Sequence, residues 1–160
     1  MATETVERII DHWEAQPHRL IEVLQDIQAA RGYVSEEAMR TVAARLTVPL
    51  IEVYRVASFY KAFSLAPRGK HLITVCLGTA CHVRGAPRML DEVLGQLNVA
   101  PGQTTEDGIF TVECVNCLGT CALGPVVVLD GVYHHHMTPG RLRKLVQAKR
   151  SAARKRKTDA

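Results

Sequence analysis

The sequence predicts an α+β chain: a bundle of helices first, then a small α/β domain. Three observations predict it. Residues 1–66 carry apolar side chains at helical spacing and no strand signal. The stretch Leu65-Ala-Pro-Arg-Gly69 then breaks the pattern. Beyond it, short apolar runs and helical runs follow in the order β-α-β-β-α. The predicted organisation is a helical domain over 1–66, an α/β domain over 70–150 and a basic tail over 151–160.

Residues 3–14 read as a short amphipathic helix, with Val6, Ile9, Ile10 and Trp13 on one side. Pro17 is placed to open a second helix, whose apolar face holds Leu20, Val23, Leu24 and Ile27. Gly32 stops it at a left-handed cap position. Ser35 is an N-cap residue, and Glu36 and Glu37 suit the positive end of the helix dipole, so a third helix runs to about Leu46. Pro49 starts a fourth through Phe59, and Phe59, Tyr60 and Phe63 sit at spacings that suit core packing.

In the second half, His71–Val75 suits a strand. A cysteine-containing loop follows, then a helix from Gly85 to Leu97. Gly108–Cys114 and Val126–Leu129 are further strands. Asp130-Gly131 signals a two-residue hairpin that returns through Val132–His134. Thr138-Pro139 gives an N-cap and a proline at the first helical position, opening a last helix to about Arg150. Three successive histidines, His134-His135-His136, alternate sides on a strand and so read as a surface turn rather than a metal site. Phe110, Val112 and Cys114 share one strand parity, so Cys114 is expected to face the core.

Composition narrows the function classes. Of 160 residues, 47% are hydrophobic and 22% charged, enough to bury a core. No apolar run approaches the roughly 20 residues of a membrane-spanning helix, so no direct membrane insertion is expected. The first residues lack the layout of a signal or transit peptide, which points to a cytoplasmic protein with reduced thiols. The net charge of +4 is uneven: residues 141–160 hold nine Lys or Arg and one acid, while the rest is mildly acidic. A nucleic-acid binder more often spreads basic residues over a folded face, so no nucleic-acid partner is expected.

Five cysteines then call for metal or redox chemistry. They form two groups, Cys76-x4-Cys81 and Cys117-x3-Cys121, with Cys114 extra. Each loop is rich in small residues, Leu77-Gly-Thr-Ala80 and Leu118-Gly-Thr120. A two-iron, two-sulfur cluster takes two thiolates on each iron and needs backbone N–H groups close to sulfur, which glycine permits. Zinc prefers closer pairs, and only Cys114-x2-Cys117 has that spacing. A dithiol oxidoreductase needs a CxxC opening a helix, and no helix signal follows Cys117. Core packing accounts for one cysteine more easily than for four. Spacing thus favours an iron–sulfur site over these alternatives without closing them.

Two segments carry a specific resemblance. Val75-Cys-Leu-Gly-Thr-Ala-Cys-His-Val-Arg-Gly-Ala86 and Cys117-Leu-Gly-Thr-Cys-Ala-Leu-Gly-Pro-Val126 resemble the thioredoxin-like [2Fe–2S] subunit of NADH:ubiquinone oxidoreductase, respiratory complex I. Leu24-Gln-Asp-Ile-Gln28, Gly32-Tyr-Val-Ser35, Ala57-Ser-Phe-Tyr60 and Pro67-Arg-Gly-Lys70 are similar to that family's N-terminal part. The same family supplies subunits of NAD-linked hydrogenases, formate dehydrogenases and electron-bifurcating complexes. The resemblance implies a thioredoxin-like ferredoxin domain with one [2Fe–2S] cluster on Cys76, Cys81, Cys117 and Cys121. It further implies a role in electron transfer, working with a flavoprotein that carries FMN and binds NAD(H), and with further iron–sulfur subunits. Cys114 and the longer basic tail are departures that leave the four-ligand match intact.

No Gly-rich phosphate loop appears, so FMN and NAD(H) are expected on the partner, and no residue is expected to act as a catalytic acid or base. His82 beside Cys81 reads as a solvent-facing loop residue, and Arg84, Gly85 and Ala86 as turn and helix start. The competing function class is a zinc-stabilised or apo thioredoxin-like interaction module.

Overall fold

In a computed structural model, residues 2–158 are described, and they divide into two compact units, Met1–Pro67 and Arg68–Ala160. The first is helical. It comprises α1 (Ala2–His12), a 3-10 turn (Pro17–Arg19), α2 (Leu20–Arg31), α3 (Glu36–Leu46) and α4 (Leu50–Phe59). Helix α1 stops two residues before the expected Glu14, because Glu14 and Ala15 take positive φ values of 55° and 50°. Pro17 opens the 3-10 turn rather than α2 itself. Gly32 caps α2 at φ 77°, a conformation that costs glycine little. The Ser35 side chain accepts from the Ala38 N–H at 3.2 Å and caps α3.

The apolar faces meet in one core around Ile10, Val23, Leu24, Ile27, Val42 and Val53. Trp13 closes its edge, donating its indole N–H to Asp26 Oδ2 at 2.8 Å. The chain after α4 is pinned back by Val34 N–H to Ser64 O and by Ser64 N–H to Gln28 Oε1, both 2.8 Å. Phe63 is buried there, but the expectation for its two companions fails. Phe59 is 81% and Tyr60 43% exposed, since α4 ends at Phe59 and leaves both rings on its outer side.

The second unit is a four-stranded sheet in the order β2-β1-β3-β4. Strand β1 (His71–Cys76) runs parallel to β2 (Phe110–Val115), with Cys76 opposite Val115. β1 pairs antiparallel with β3 (Val127–Leu129), which pairs antiparallel with β4 (Val132–His134). Asp130 and Gly131 turn the hairpin with φ of 52° and 80°, the double positive φ of the two-residue loop read from sequence. A short helix α5 (Thr79–Val83) and α6 (Ala86–Leu97) make the crossover from β1 to β2. Helix α7 (Pro139–Thr158) follows the hairpin, and α6 packs on β1 and β2 with α7 beside it. Ile73, Val75, Phe110, Val112, Met89 and Leu142 are central to the core.

Two expectations need correction here. The tail over 151–160 does not leave the last helix at Arg150: α7 continues through Thr158. Residues 151–158 contain no Gly or Pro to stop it, and Ala153 packs against the core of this unit. Cys114 is half-buried rather than buried. The cover over β2 ends after Val112, so Glu113, Cys114 and Val115 form the open end of the strand.

Asp107 ties the turn before β2 to α7. The Thr105 hydroxyl donates to Oδ1 at 2.5 Å, the Ile109 N–H donates to Oδ1 at 3.1 Å, and Arg150 Nη2 donates to Oδ2 at 3.0 Å. Thr105 foremost, with Ile109 and Arg150, overcomes the cost of desolvation and holds the carboxyl at about 2 against an ordinary 3.8. Because the folded-state value is the lower one, the stabilisation is present above about pH 4 and is lost as the pH falls toward 2. Asp107→Asn is therefore expected to lower the melting temperature at neutral pH and to converge on the native protein only as the pH falls to about 2. Melting curves that stay parallel across this range would contradict the role given to Asp107.

Candidate cluster site

The parallel pairing of β1 and β2 sends both strands out of the same edge of the sheet, where open α/β sheets hold ligands. One loop leaves β1 after Cys76 and enters α5; the other leaves β2 after Val115 and runs to a 3-10 turn, Cys121–Leu123. Leu77 N–H donates to Val115 O at 2.8 Å and Cys76 N–H to Val126 O at 3.2 Å, which lock the loops side by side.

Glycine makes that closeness possible. A Cβ on Gly78 would lie 2.6 Å from the Asn116 carbonyl oxygen and 3.4 Å from Cys117 Cα. A Cβ on Gly124 would lie 3.0 Å from Cys81 Sγ. Backbone N–H groups reach sulfur as expected: Gly119 N–H donates to Cys117 Sγ at 3.3 Å, and Gly119 takes a φ of 76° to aim it.

The structure brings together the four cysteines singled out by the sequence. Cys76 and Cys81 are buried, while Cys117 and Cys121 are exposed, and none of the five cysteines is in a disulfide. Burial pushes the Cys81 thiol up; the Val126 N–H opposes this, and Cys76, in hydrogen-bonding contact, and Cys121 add to it. Contact with Cys117 pushes Cys121 up, followed by the charge of Cys117, burial and the charge of Cys76. Cys76 thus acts on Cys81 and Cys117 on Cys121, and each of the two shifted thiols also feels the charge of a cysteine in the other pair. Cys114 does not figure in either shift. Among the described residues no group of three or more His, Cys, Asp or Glu converges as around one metal ion.

A [2Fe–2S] cluster fits this donor set. Such a cluster needs two thiolates on each iron, and the two pairs would supply that number. Cys81, raised first by burial, and Cys121, raised first by Cys117, both resist becoming thiolates without a cation, and bound metal would supply one. The glycines leave room beside sulfur, and N–H groups point at two of the four sulfurs.

Sequence reasoning missed three features. Cys81 lies on the helical turn α5 rather than in an open loop. Gly124 is needed beside the Cys81 sulfur. Arg84, read as a turn residue, reaches across: its Nη1 donates to the carbonyls of Cys121 and Gly124 at 3.1 Å and of Ala122 at 3.2 Å. The one signal for it was spacing, since Arg84 follows Cys81 by three residues and so shares its helix face. His82 is exposed, as read, and His135 and His136 lie on the surface beyond the hairpin. Two apolar side chains of this edge are exposed, Val83 of α5 by 81% and Leu123 of the 3-10 turn by 45%, on two elements that touch each other.

Comparison with known proteins agrees with this geometry. Residues 6–150 match the family described as thioredoxin-like [2Fe-2S] ferredoxin. The NADP-reducing hydrogenase subunit HndA of Solidesulfovibrio fructosivorans is 37% identical over 86% of this chain and 82% of its own length. An NADH-quinone oxidoreductase subunit from Escherichia coli K12 is 35% identical over 90% of this chain and 87% of its own length. A subunit of the same oxidoreductase from Thermus thermophilus is 32% identical over 88% and 78%. In fold, the chain is similar to part of an NAD+-reducing [NiFe]-hydrogenase, with a TM-score of 0.71 at 21% identity; the match covers 84% of this chain and 23% of that one. No helix among the described residues is long and apolar enough to cross a membrane.

Proposed function

Since the chain belongs to the thioredoxin-like [2Fe–2S] ferredoxin family, whose cofactor is the [2Fe–2S] cluster, we propose that Cys76 and Cys81 hold one iron and Cys117 and Cys121 the other. The chain is then an electron-transfer subunit of a cytoplasmic NADH dehydrogenase or hydrogenase-type complex. It exchanges single electrons with the flavin of an NAD(H)-binding partner and passes them on to further iron–sulfur subunits. The bound cluster supplies one-electron redox chemistry at a set potential.

The single observation that carries this reading is the pairing of the thiols, one pair buried and one exposed at the same sheet edge. The buried pair fixes the metal in the fold. The exposed pair, on the edge that also exposes Val83 and Leu123, leaves the redox centre close to whatever docks there. The chain's own residues ligate, donate hydrogen bonds to sulfur and hold the loops. No proton transfer is required of them.

The test follows from the missing nucleotide loop. The purified chain is expected to be red-brown and to show no NADH–dye reductase activity alone, with activity appearing on addition of the flavoprotein. Robust activity from the chain alone would overturn the partner assignment. A colourless, zinc-containing preparation would return the site to an interaction module.

A further inference from the structure

From Cys121 to Val126 every backbone carbonyl is engaged. Leu123 O accepts from His136 N–H and Pro125 O from Met137 N–H, both at 3.0 Å, and Val126 O accepts from Cys76 N–H at 3.2 Å. The remaining three, on Cys121, Ala122 and Gly124, accept from the single Nη1 of Arg84. The three groups to which this guanidinium donates are neutral carbonyls, which do not offset its positive charge as a carboxylate would. That charge sits close to sulfur. The one point that a Gly124 Cβ would occupy is 3.0 Å from Cys81 Sγ and 3.6 Å from Arg84 Nη1, so the two atoms lie within about 7 Å of each other.

We propose that Arg84 is a positioning residue that holds the Cys121–Gly124 turn against α5 and raises the reduction potential of the cluster through its uncompensated charge. The inference rests on the four-cysteine reading above. An all-thiolate [2Fe–2S] centre is anionic and gains one more negative charge on reduction. A fixed cation nearby favours the reduced form by ordinary Coulomb attraction, weakened by solvent because Arg84 is exposed but acting over a short distance. The two effects are separable. Holding the turn concerns whether iron is retained and how stable the loop is. The charge concerns where the midpoint lies.

The experiment is a potentiometric titration of the reduced-cluster electron paramagnetic resonance signal in the full chain, with iron content measured on the same samples. Arg84→Gln is expected to lower the midpoint by about tenfold in the electron-exchange equilibrium, or about 59 mV for one electron. Arg84→Lys, which keeps the charge, is expected to stay within about threefold of the native protein. If Arg84→Gln loads iron and its midpoint is unchanged, the potential-setting role is overturned. If Arg84→Gln does not retain iron, Arg84→Lys carries the test. Iron with a near-native midpoint in the lysine variant supports the role of charge. Failure of both variants to load shows that shape rather than charge is required, and overturns it. Failure of the native chain to bind iron would instead overturn the cluster reading itself.

Discussion

Replacing any one of Cys76, Cys81, Cys117 or Cys121 with alanine is expected to take the chain from about two irons to none, or to a labile remnant. Each of the four belongs to a thiol pair, and removing one member leaves an iron with a single protein ligand. The effect should be largest for Cys76 and Cys81, which are buried and cannot be replaced by water without opening the fold. Cys114→Ala is the contrasting variant. Cys114 is half-buried at the open end of β2 and outside both pairs, so the native iron content and spectrum are expected with only a modest drop in melting temperature. Iron per chain and the spectrum of each reduced variant decide the matter. Loss of the cluster in Cys114→Ala with retention in Cys117→Ala or Cys121→Ala would reverse the ligand assignment.

Gly78→Ala, a change of one methyl group, should be nearly as damaging. The added carbon would sit 2.6 Å from the Asn116 carbonyl oxygen, a backbone atom that no rotamer change can move aside. The loops have to part, and with them the Leu77–Val115 hydrogen bond and the approach of Cys117. Overpacking of this kind costs about 1–3 kcal/mol. The expected result is a lower melting temperature together with reduced iron retention. Gly95→Ala is the control, since a Cβ there meets nothing within 4 Å and α6 gains a better helix former. Equal iron content and equal stability in Gly78→Ala and the native chain would show that the two loops are not held by this contact.

The parts of the fold that could be read from sequence are those with local causes. Gly32 and Ser35 mark helix ends by their own backbone and side-chain chemistry, and both behave as read. Asp130-Gly131 dictates its hairpin for the same reason. The four cysteines stood out because the sequence sets them in two pairs on glycine-containing loops, and the parallel strands bring those loops to one edge. What escaped depends on contacts between distant segments or on length. Helix α5 has five residues, too few for a hydrophobic period to appear. The partners of Arg84 lie across the sheet edge, and no sequence pattern announces them. Cys114 was placed by strand parity, which fixes a face but not how far along the strand the cover extends. Phe59 and Tyr60 suited a core by spacing, yet the end of α4 turns them outward.

The parallel register of β1 and β2 also bears on biogenesis. An antiparallel pair can zip from a short turn, but a parallel pair waits for its whole crossover to be made and folded back. Here that crossover runs through α5 and α6, and α6 separates the first two cysteines from the last two. Neither thiol pair alone is a complete receptor. Iron and sulfide delivered to a nascent chain therefore have no finished destination until β2 has docked beside β1, and maturation follows folding rather than guiding it. A lesion far from any cysteine, in the packing of α6 on the sheet, would then surface as a maturation defect: chains that are made but never become coloured.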